Sequence, residues 1–238
     1  MWRLRFCPKR FSKCGIFGQM DKTLVVGFKV KGNLRFLSHH DTMAMFQRAF
    51  ARAGIKLCYS FGFNRRPKLS LPLPRSVGME SDAELVCAVV SFDESGLDTE
   101  QLKERICRQM PEGCEITDIE LISGKVRYRP VSAVYVFPLA DAAGEERTGA
   151  AVAGLRQALA TGEGIVVLRQ GHGTKPTRKT DVSGYIDSIE REANGFAVRC
   201  NITACGTVRA DEILQLLQID ISDLSGPVKR KSVEWRQN

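Results

Sequence analysis

The residues of this chain that are best suited to chemistry stand side by side at 38–41, as Ser38, His39, His40 and Asp41. Imidazole and carboxylate groups serve as zinc ligands and as general acids and bases. Adjacent histidines on a helix point about 100° apart, whereas a two-histidine zinc site on a helix needs a spacing of about four residues. We therefore predict no metal site and retain two uses: a helix start, and an acid–base role for His39.

The start of a helix accounts for most of this cluster. Ser38 is a typical N-cap residue, and Asp41 at the third helical position completes a pairing like a capping box and suits the helix dipole. Apolar residues recur at steps of three or four over 39–53, and Gly54 is a natural stop. Ser38 and Asp41 are thus predicted caps, and His39 alone remains a candidate general acid or base.

A basic and aromatic segment, "YSFGFNRRPKLSLPLPR" (59–75), is the second candidate site. Basic side chains neutralise phosphates, and aromatic rings between them stack on exposed bases. The alternative is a solvated loop whose aromatic side chains alternate into the core, and for the aromatics alone we favour that alternative. The predicted nucleic-acid contacts of this region are Arg35, Asn64, Arg65, Arg66, Lys68 and Arg75.

A second basic loop, "GHGTKPTRKTD" (171–181), adds Lys175, Arg178 and Lys179 to the predicted nucleic-acid contacts. It lacks the G-x-x-x-x-G-K-[ST] pattern of a P-loop. If the two halves of the chain pack with pseudo-twofold symmetry, both basic loops flank one cleft, and His172 then approaches His39. A flexible basic loop is the alternative.

The overall charge is weaker evidence for nucleic-acid binding than it first suggests. The 238 residues carry a net charge of +8 and a pI near 9.2, but residues 1–19 contribute five cations and no acid, which leaves +3 for the rest. We interpret residues 1–20 as a basic flexible leader. A transit peptide and an upstream extension of a chain that starts at Met20 are the alternatives.

Other bulk features exclude several classes. No apolar run approaches the ~18 residues of a membrane-spanning helix. The eight cysteines include no C-x2-C pair, which excludes zinc-finger spacings, and the C-x3-C-x2-C triplet of a radical SAM cluster is absent. No cofactor motif is present, so we predict no cofactor. A reduced chain in the cytoplasm, with thiols packed as small apolar groups, is the expectation.

The order of predicted elements repeats once along the chain. Each half reads as strand, helix, one or more strands, helix and strand, the split βαβ pattern of a ferredoxin-like domain. We therefore predict an α+β fold of two tandem ferredoxin-like domains packed against each other. The domain limits are 21–126 and 127–238, and Asn194-Gly195 predicts a tight hairpin in the second domain.

The stretch 31–84 resembles a known family, the bacterial radical SAM-linked proteins, a domain of unknown function that occurs alone or appended to a radical SAM protein. The chain departs from the family pattern at His40, Arg65 and Arg66. The residues that carry the resemblance are Gly32, Leu34, Arg35, Phe36, Ser38, His39, Asp41, Arg48, Ala49, Tyr59, Ser60, Gly62, Phe63, Asn64, Pro67, Lys68, Leu73, Gly78 and Glu80.

The resemblance implies an accessory module that binds RNA or a ribosome-associated substrate for a separate radical SAM protein. It supplies no established catalytic residues, so we do not predict an enzyme. One alternative is an RNA-processing or RNA-modifying enzyme with His39 as general acid or base, by analogy with the tandem layout of CRISPR repeat-processing endoribonucleases. The other alternative is a protein-interaction scaffold that binds no RNA.

Overall fold

The computed structural model describes residues 21–91, 98–140, 142–170 and 176–238, without the side chains of 142–147. The predicted flexible leader, His172 and Lys175 lie outside these residues. Within them, no helix combines the length and the apolar character that crossing a bilayer requires.

Helices and strands alternate through both halves of the chain. The first half contains β1 (Lys22–Val30), a 3-10 helix (Gly32–Phe36), α1 (His39–Arg52), β2 (Leu69–Ser70), β3 (Glu80–Val90), α2 (Thr99–Cys107) and β4 (Cys114–Ser123). The second contains β5 (Tyr128–Pro138), α3 (Ala142–Thr161), β6 (Val166–Arg169), β7 (Arg178–Asp181), β8 (Ile186–Glu192), β9 (Gly195–Asn201), α4 (Ala210–Leu216) and β10 (Lys229–Gln237).

One eight-stranded sheet runs through both halves in the order β4-β1-β3-β10-β5-β9-β8, with β2 beside β3. Its pairings are antiparallel except for that of β10 with β3, which is parallel. β6 and β7 form a separate two-stranded sheet. The predicted combination of helices with a mixed sheet is confirmed, whereas the division into two ferredoxin-like domains with limits at 126 and 127 stays a prediction.

Most predicted elements are present with small shifts at their ends. The predicted helix 39–53 is α1, and the hairpin at Asn194-Gly195 joins β8 to β9. The largest difference is at 67–73, where the predicted strand shrinks to the two residues of β2. Proline has no N–H to donate to a neighbouring strand, so Pro67 and Pro72 limit the pairing to the residues between them.

The helices of both halves cover the same face of the sheet. Alternate side chains of β1, such as Val26 and Phe28, are buried at 0% and 1% exposure and pack in one cluster with Phe46 and Phe50 of α1. A second cluster forms between α3, α4 and strands β5, β8 and β9. Tyr135 of β5 belongs to this second cluster and lies beside a buried arginine of β10, whose guanidinium also contacts the covered face of the first half. The helices of the two halves therefore lie on the same face of the sheet.

That arginine is Arg230 of β10, and it joins the halves. Arg230 is 2% exposed, and its Nη1 donates to Glu84 of β3, which is 6% exposed, over 2.7 Å. Its Nη2 donates to the carbonyl of Pro74 at 2.8 Å, and its guanidinium lies 5.6 Å from the centre of the Tyr135 ring. Only two residue pairs, one of them Arg230 with Ser81, connect β10 to β3. The ion pair therefore reinforces a short pairing.

We expect Glu84→Leu to lower the free energy of unfolding by about 3–5 kcal/mol, because it leaves the buried charge of Arg230 without a counterion. The double variant Glu84→Leu/Arg230→Met should recover most of that loss, since it removes both charges. Urea unfolding measures both values.

A matched control is Glu115→Gln, which breaks an exposed pair with Lys31 at 2.9 Å. It should cost less than about 1 kcal/mol. An equal loss in Glu84→Leu and in the double variant would contradict the role of the buried pair.

Candidate functional site

The start of α1 is a capping box. The Oγ of Ser38 accepts a hydrogen bond from the backbone N–H of Asp41 at 3.1 Å, and the backbone N–H of Ser38 donates to Asp41 Oδ2 at 3.3 Å. The Ser38 hydroxyl also donates to the same carboxylate at 2.6 Å. The hydrogen bond from the Ser38 hydroxyl has the largest effect in lowering the pKa of Asp41, and the bond from the Ser38 backbone adds to it. Both residues are therefore occupied with the helix start, as predicted.

His39 follows this cap and is exposed. The cavity that it lines with Arg75 and Glu84 has a volume of about 10 Å³, which is room for about one water molecule. In the part of the chain that the structure describes, no three His, Cys, Asp or Glu residues are grouped so that they could hold a metal ion. Catalysis by His39 stays a prediction, and this cavity is too small to hold a substrate.

Arg75 serves the backbone of the first half. Its guanidinium donates to a ring of carbonyl oxygens, those of Leu34, Arg35 and Leu37 around the 3-10 helix and those of Ser76 and Met79 in its own loop. Burial lowers the pKa of Arg75. We therefore assign Arg75 a structural role in place of the predicted nucleic-acid contact, because its donors are directed at carbonyls of its own chain.

Residues 59–68 form an aromatic-basic hairpin. Tyr59 pairs with Pro67, and the N–H of Ser60 donates to the carbonyl of Arg66 at 2.8 Å. Gly62 has a φ of +128°, a conformation that residues with a Cβ rarely adopt. The N–H of Lys68 donates to Cys58, and Val89 of β3 donates to Lys68, both at 2.8 Å. The base of the hairpin is thus fixed to the end of β3.

The aromatic side chains of this hairpin are in solvent. Phe61 is 78% exposed, Phe63 103% and Tyr59 45%, so our expectation that they alternate into the core is wrong. The reason is local: the turn at 61–64 extends beyond the sheet edge and has no second layer to pack against. The cations of the hairpin are on the same exposed surface as the rings. Arg65 and Arg66 are exposed, and Lys68 Nζ lies 5.7 Å from the centre of the Phe61 ring.

A groove between the two halves has a volume of about 970 Å³. Three exposed apolar side chains line it: Phe36 at 56%, Val77 at 61% and Ile221 at 81%. One cation stands on each wall, Arg35 in the first half and Arg209 at the start of α4. Patches of this kind mark binding surfaces.

Arg35 belongs to this groove and not to the aromatic-basic hairpin. Its guanidinium lies 4.5 Å from the centre of the Phe36 ring and donates to the carbonyl of Gly32 at 3.2 Å. Two further bonds fix the 3-10 helix that presents it: the N–H of Gly32 donates to Glu80 and that of Gly78 to the Arg35 carbonyl, both at 2.8 Å. Arg35, Phe36 and Gly78, which carry part of the family resemblance, thus line one wall of the groove.

Arg178 and Lys179 are exposed on β7, which belongs to the separate two-stranded sheet. Arg178 pairs with Arg169 of β6, whose guanidinium donates to Glu212 of α4 at 2.7 Å. The hairpin lies at the Val89 end of β3 and the groove at the Glu80 end, about 30 Å apart along an extended strand. The convergence of the two basic loops beside His39 stays a prediction, because residues 171–175 of the second loop lie outside the described residues.

The buried thiols have no catalytic environment. Burial raises the pKa of Cys87 to about 11 and those of Cys114 and Cys200 to about 12. A thiol with such a pKa is protonated at neutral pH and packs as a small apolar group. This agrees with the packing role expected from their apolar surroundings in the sequence.

Comparison with known proteins identifies a family for this fold. The profile of a family described as "Uncharacterized protein conserved in bacteria (DUF2344)" matches residues 23–215. The chain belongs to this family. The description of DUF2344 mentions no radical SAM enzyme, so the radical SAM link stays a prediction.

The other two comparisons add little. No curated protein matches the chain. A solved protein described as "Crystal Structure of an Unknown Protein from Galdieria sulphuraria" is 10% identical, with 76% of this chain and 79% of that chain covered, at a TM-score of 0.23. A similarity this low carries no argument about fold or function.

Some residues of these two surfaces were not among the sequence candidates. Val77, Arg209 and Ile221 are far apart in sequence, and only the joining of the halves brings them together. For Phe61 and Phe63 the sequence did contain a sign of exposure, since they flank Gly62 in a segment that is interrupted by prolines, which is typical of a turn at the surface.

We expect Arg75→Gln to lower the free energy of unfolding by about 2 kcal/mol, because it removes charge-assisted hydrogen bonds to several carbonyls. If Arg75 is structural, the variant should bind RNA within twofold of the parent protein at a temperature where both are folded. Urea unfolding and fluorescence anisotropy measure the two effects. A large loss of RNA affinity with unchanged stability would return Arg75 to the nucleic-acid contacts.

Proposed function

We propose that this chain is an RNA-binding accessory module that holds single-stranded RNA on its aromatic-basic hairpin. The observation that carries the proposal is the exposure of Phe61 and Phe63 beside Arg65 and Arg66. An exposed apolar patch with polar residues at its rim is typical of a binding surface. Bases stack on such rings while cations neutralise the phosphates.

The position of Asn64 at the turn supports RNA over a lipid surface. A loop that inserts into a bilayer needs an apolar end, whereas here the exposed Phe63 is followed at once by Asn64, Arg65 and Arg66. An amide can hydrogen-bond to base edges, and two neighbouring guanidinium groups suit phosphates in a row. Lys68, above the Phe61 ring, adds a cation at the base of the hairpin.

We expect the double variant Phe61→Ala/Phe63→Ala to bind labelled single-stranded RNA about 10- to 100-fold more weakly, since each stacked base contributes about 1–3 kcal/mol. The free energy of unfolding should not change, because both side chains are exposed. Fluorescence anisotropy with an oligouridine and urea unfolding provide the two measurements. The matched control is Phe36→Ala, which removes an exposed ring from the groove.

Three results would contradict RNA binding by the aromatic-basic hairpin. One is the absence of RNA binding by the parent protein at low salt. Another is equal RNA affinity of the double variant and the control. The third is binding of phosphatidylserine vesicles that requires Phe61 and Phe63 in a protein that does not bind RNA, which would assign the hairpin to membranes.

We further propose that the groove between the halves docks a partner protein through an apolar segment that carries carboxylates. Phe36, Val77 and Ile221 supply the apolar surface. Among the described residues, neither Arg35 nor Arg209 forms a salt bridge, and Asp211, which follows Arg209 closely in the chain, also lines the groove. Arg35 is therefore the cation on which an acidic side chain of the partner would dock. The resemblance of 31–84 to radical SAM-linked proteins suggests a separate radical SAM protein as this partner.

We expect Ile221→Asp to abolish a complex with the radical SAM protein of the same genome, as measured by size-exclusion chromatography of the two purified proteins. An aspartate there places a charge in the apolar contact and repels acidic groups of the partner. Leu168→Asp is the matched control, because Leu168 is 61% exposed on β6 outside the groove. Loss of the complex in both variants, or in neither, would contradict docking in the groove.

For the fold, we propose that each half is a ferredoxin-like unit. The strand order supports this, since β1 lies between β4 and β3 with β2 outside, and β5 lies between β10 and β9 with β8 outside. In this interpretation β6 and β7 are an insertion before β8.

A further inference from the structure

The linker between the halves is an extended segment that crosses the face of the sheet opposite the helices. None of the described helices lies on this face, which is called the helix-free face below. It leaves β4 at one edge and reaches β5 beyond β3. The hydroxyl of Thr23 donates to the carbonyl of Gly124 at 2.7 Å and accepts from the N–H of Val126 at 3.1 Å. Arg127 and Asn238 exchange backbone hydrogen bonds, one of them 2.9 Å long. The segment 124–127 is therefore fixed on the sheet at both ends.

Because the segment 124–127 is extended, its side chains alternate between the sheet and the solvent. Gly124 and Val126 are half-buried towards the sheet, while Lys125 and Arg127 are exposed. Among the described residues, the side chain of neither cation forms a salt bridge. Alternate residues of an extended chain lie about 7 Å apart, which is close to one nucleotide step of an extended single strand.

A cavity of about 370 Å³ connects the linker to the aromatic-basic hairpin. Lys68 of the hairpin lines one side, and Lys125 and Arg127 line the other. No acidic side chain lines the cavity, and its remaining walls are small or apolar groups such as Ser70 and Val126. Three cations without an acid, around a cavity of nucleotide size, form a site for phosphate.

We infer that single-stranded RNA continues from the aromatic-basic hairpin across this cavity onto the linker, where Lys125 and Arg127 bind successive phosphates. The inference rests on the proposed function and extends it by a second set of contacts. Bases stack at Phe61 and Phe63, Lys68 is the shared cation, and the linker holds the backbone. The helix-free face thus carries the RNA path between the two halves.

The test compares RNA of two lengths on the full chain with the double variant Lys125→Ala/Arg127→Ala. Oligouridines of about 4 and about 12 nucleotides span the usual range of single-strand sites. Anisotropy titrations between about 50 and 200 mM KCl give the affinity and its salt slope. We expect about a tenfold loss for the long RNA, a slope shallower by about 1.4, and little change for the short RNA, because two phosphate contacts are lost.

The control variant is Arg48→Ala/Arg108→Ala, which removes two exposed cations from the helix-covered face of the sheet. It should leave the salt slope for the long RNA unchanged. If the linker variant matches this control while Phe61→Ala/Phe63→Ala still weakens binding, the linker path is wrong and the proposed function stands. If the hairpin variant has no effect on either RNA, the proposed function fails and the linker path fails with it.

Discussion

The buried ion pair of Glu84 and Arg230 is the interaction on which the architecture depends. It links β3 of the first half to β10 of the second, where the backbone pairing covers only two residue pairs. A buried charge is costly unless it is paired and hydrogen-bonded, and Arg230 meets this condition with Glu84, Pro74 and the Tyr135 ring. One buried nitrogen, its Nε, still has no partner. The pair therefore stabilises this arrangement of the halves chiefly because every separation leaves a charge unmatched.

The two candidate surfaces lie at opposite ends of β3, which that ion pair fixes in place. The aromatic-basic hairpin is attached near Val89, and the groove opens near Glu80. In the proposed function, such a separation lets one end of β3 hold RNA while the other binds a protein, without competition for space. The linker between the halves lies on the face that the helices leave open, and in the proposed arrangement it guides the RNA away from the groove.

Local signals in the sequence predicted local structure well. Ser38 and Asp41 form their capping box within four residues, and Asn194-Gly195 specifies its turn without help from the rest of the chain. Surroundings that depend on distant partners could not be predicted in this way. Arg75 looked like a phosphate contact because its type and neighbours fit that role, but its carbonyl acceptors at Leu34 and Leu37 come from about 40 residues earlier.

The expectation that the aromatic side chains of the hairpin alternate into the core was wrong for a related reason. An alternating pattern predicts burial only where a second layer covers the strand, and the pattern at Phe61 and Phe63 contains no information about that layer. Likewise, the alternation of Lys125, Val126 and Arg127 is visible in the sequence, but only the bonds to Thr23 show which face of the sheet the linker crosses. The family match at 23–215 fixes the family but assigns no activity to these residues.

The place of Arg230 in the chain has a consequence for synthesis on the ribosome. Its partner Glu84 is made 146 residues earlier, so the first half leaves the exit tunnel before Arg230 can pair with Glu84 and before β10 can pair with the first residues of β3. Contacts of such long sequence separation form late and slow the folding of a domain. Folding of the first half is therefore complete only after the last strand is made. A nascent chain that stops before β10 retains an unpaired stretch of β3 and a Glu84 without its ion-pair partner, and chaperones and proteases can recognise such a chain.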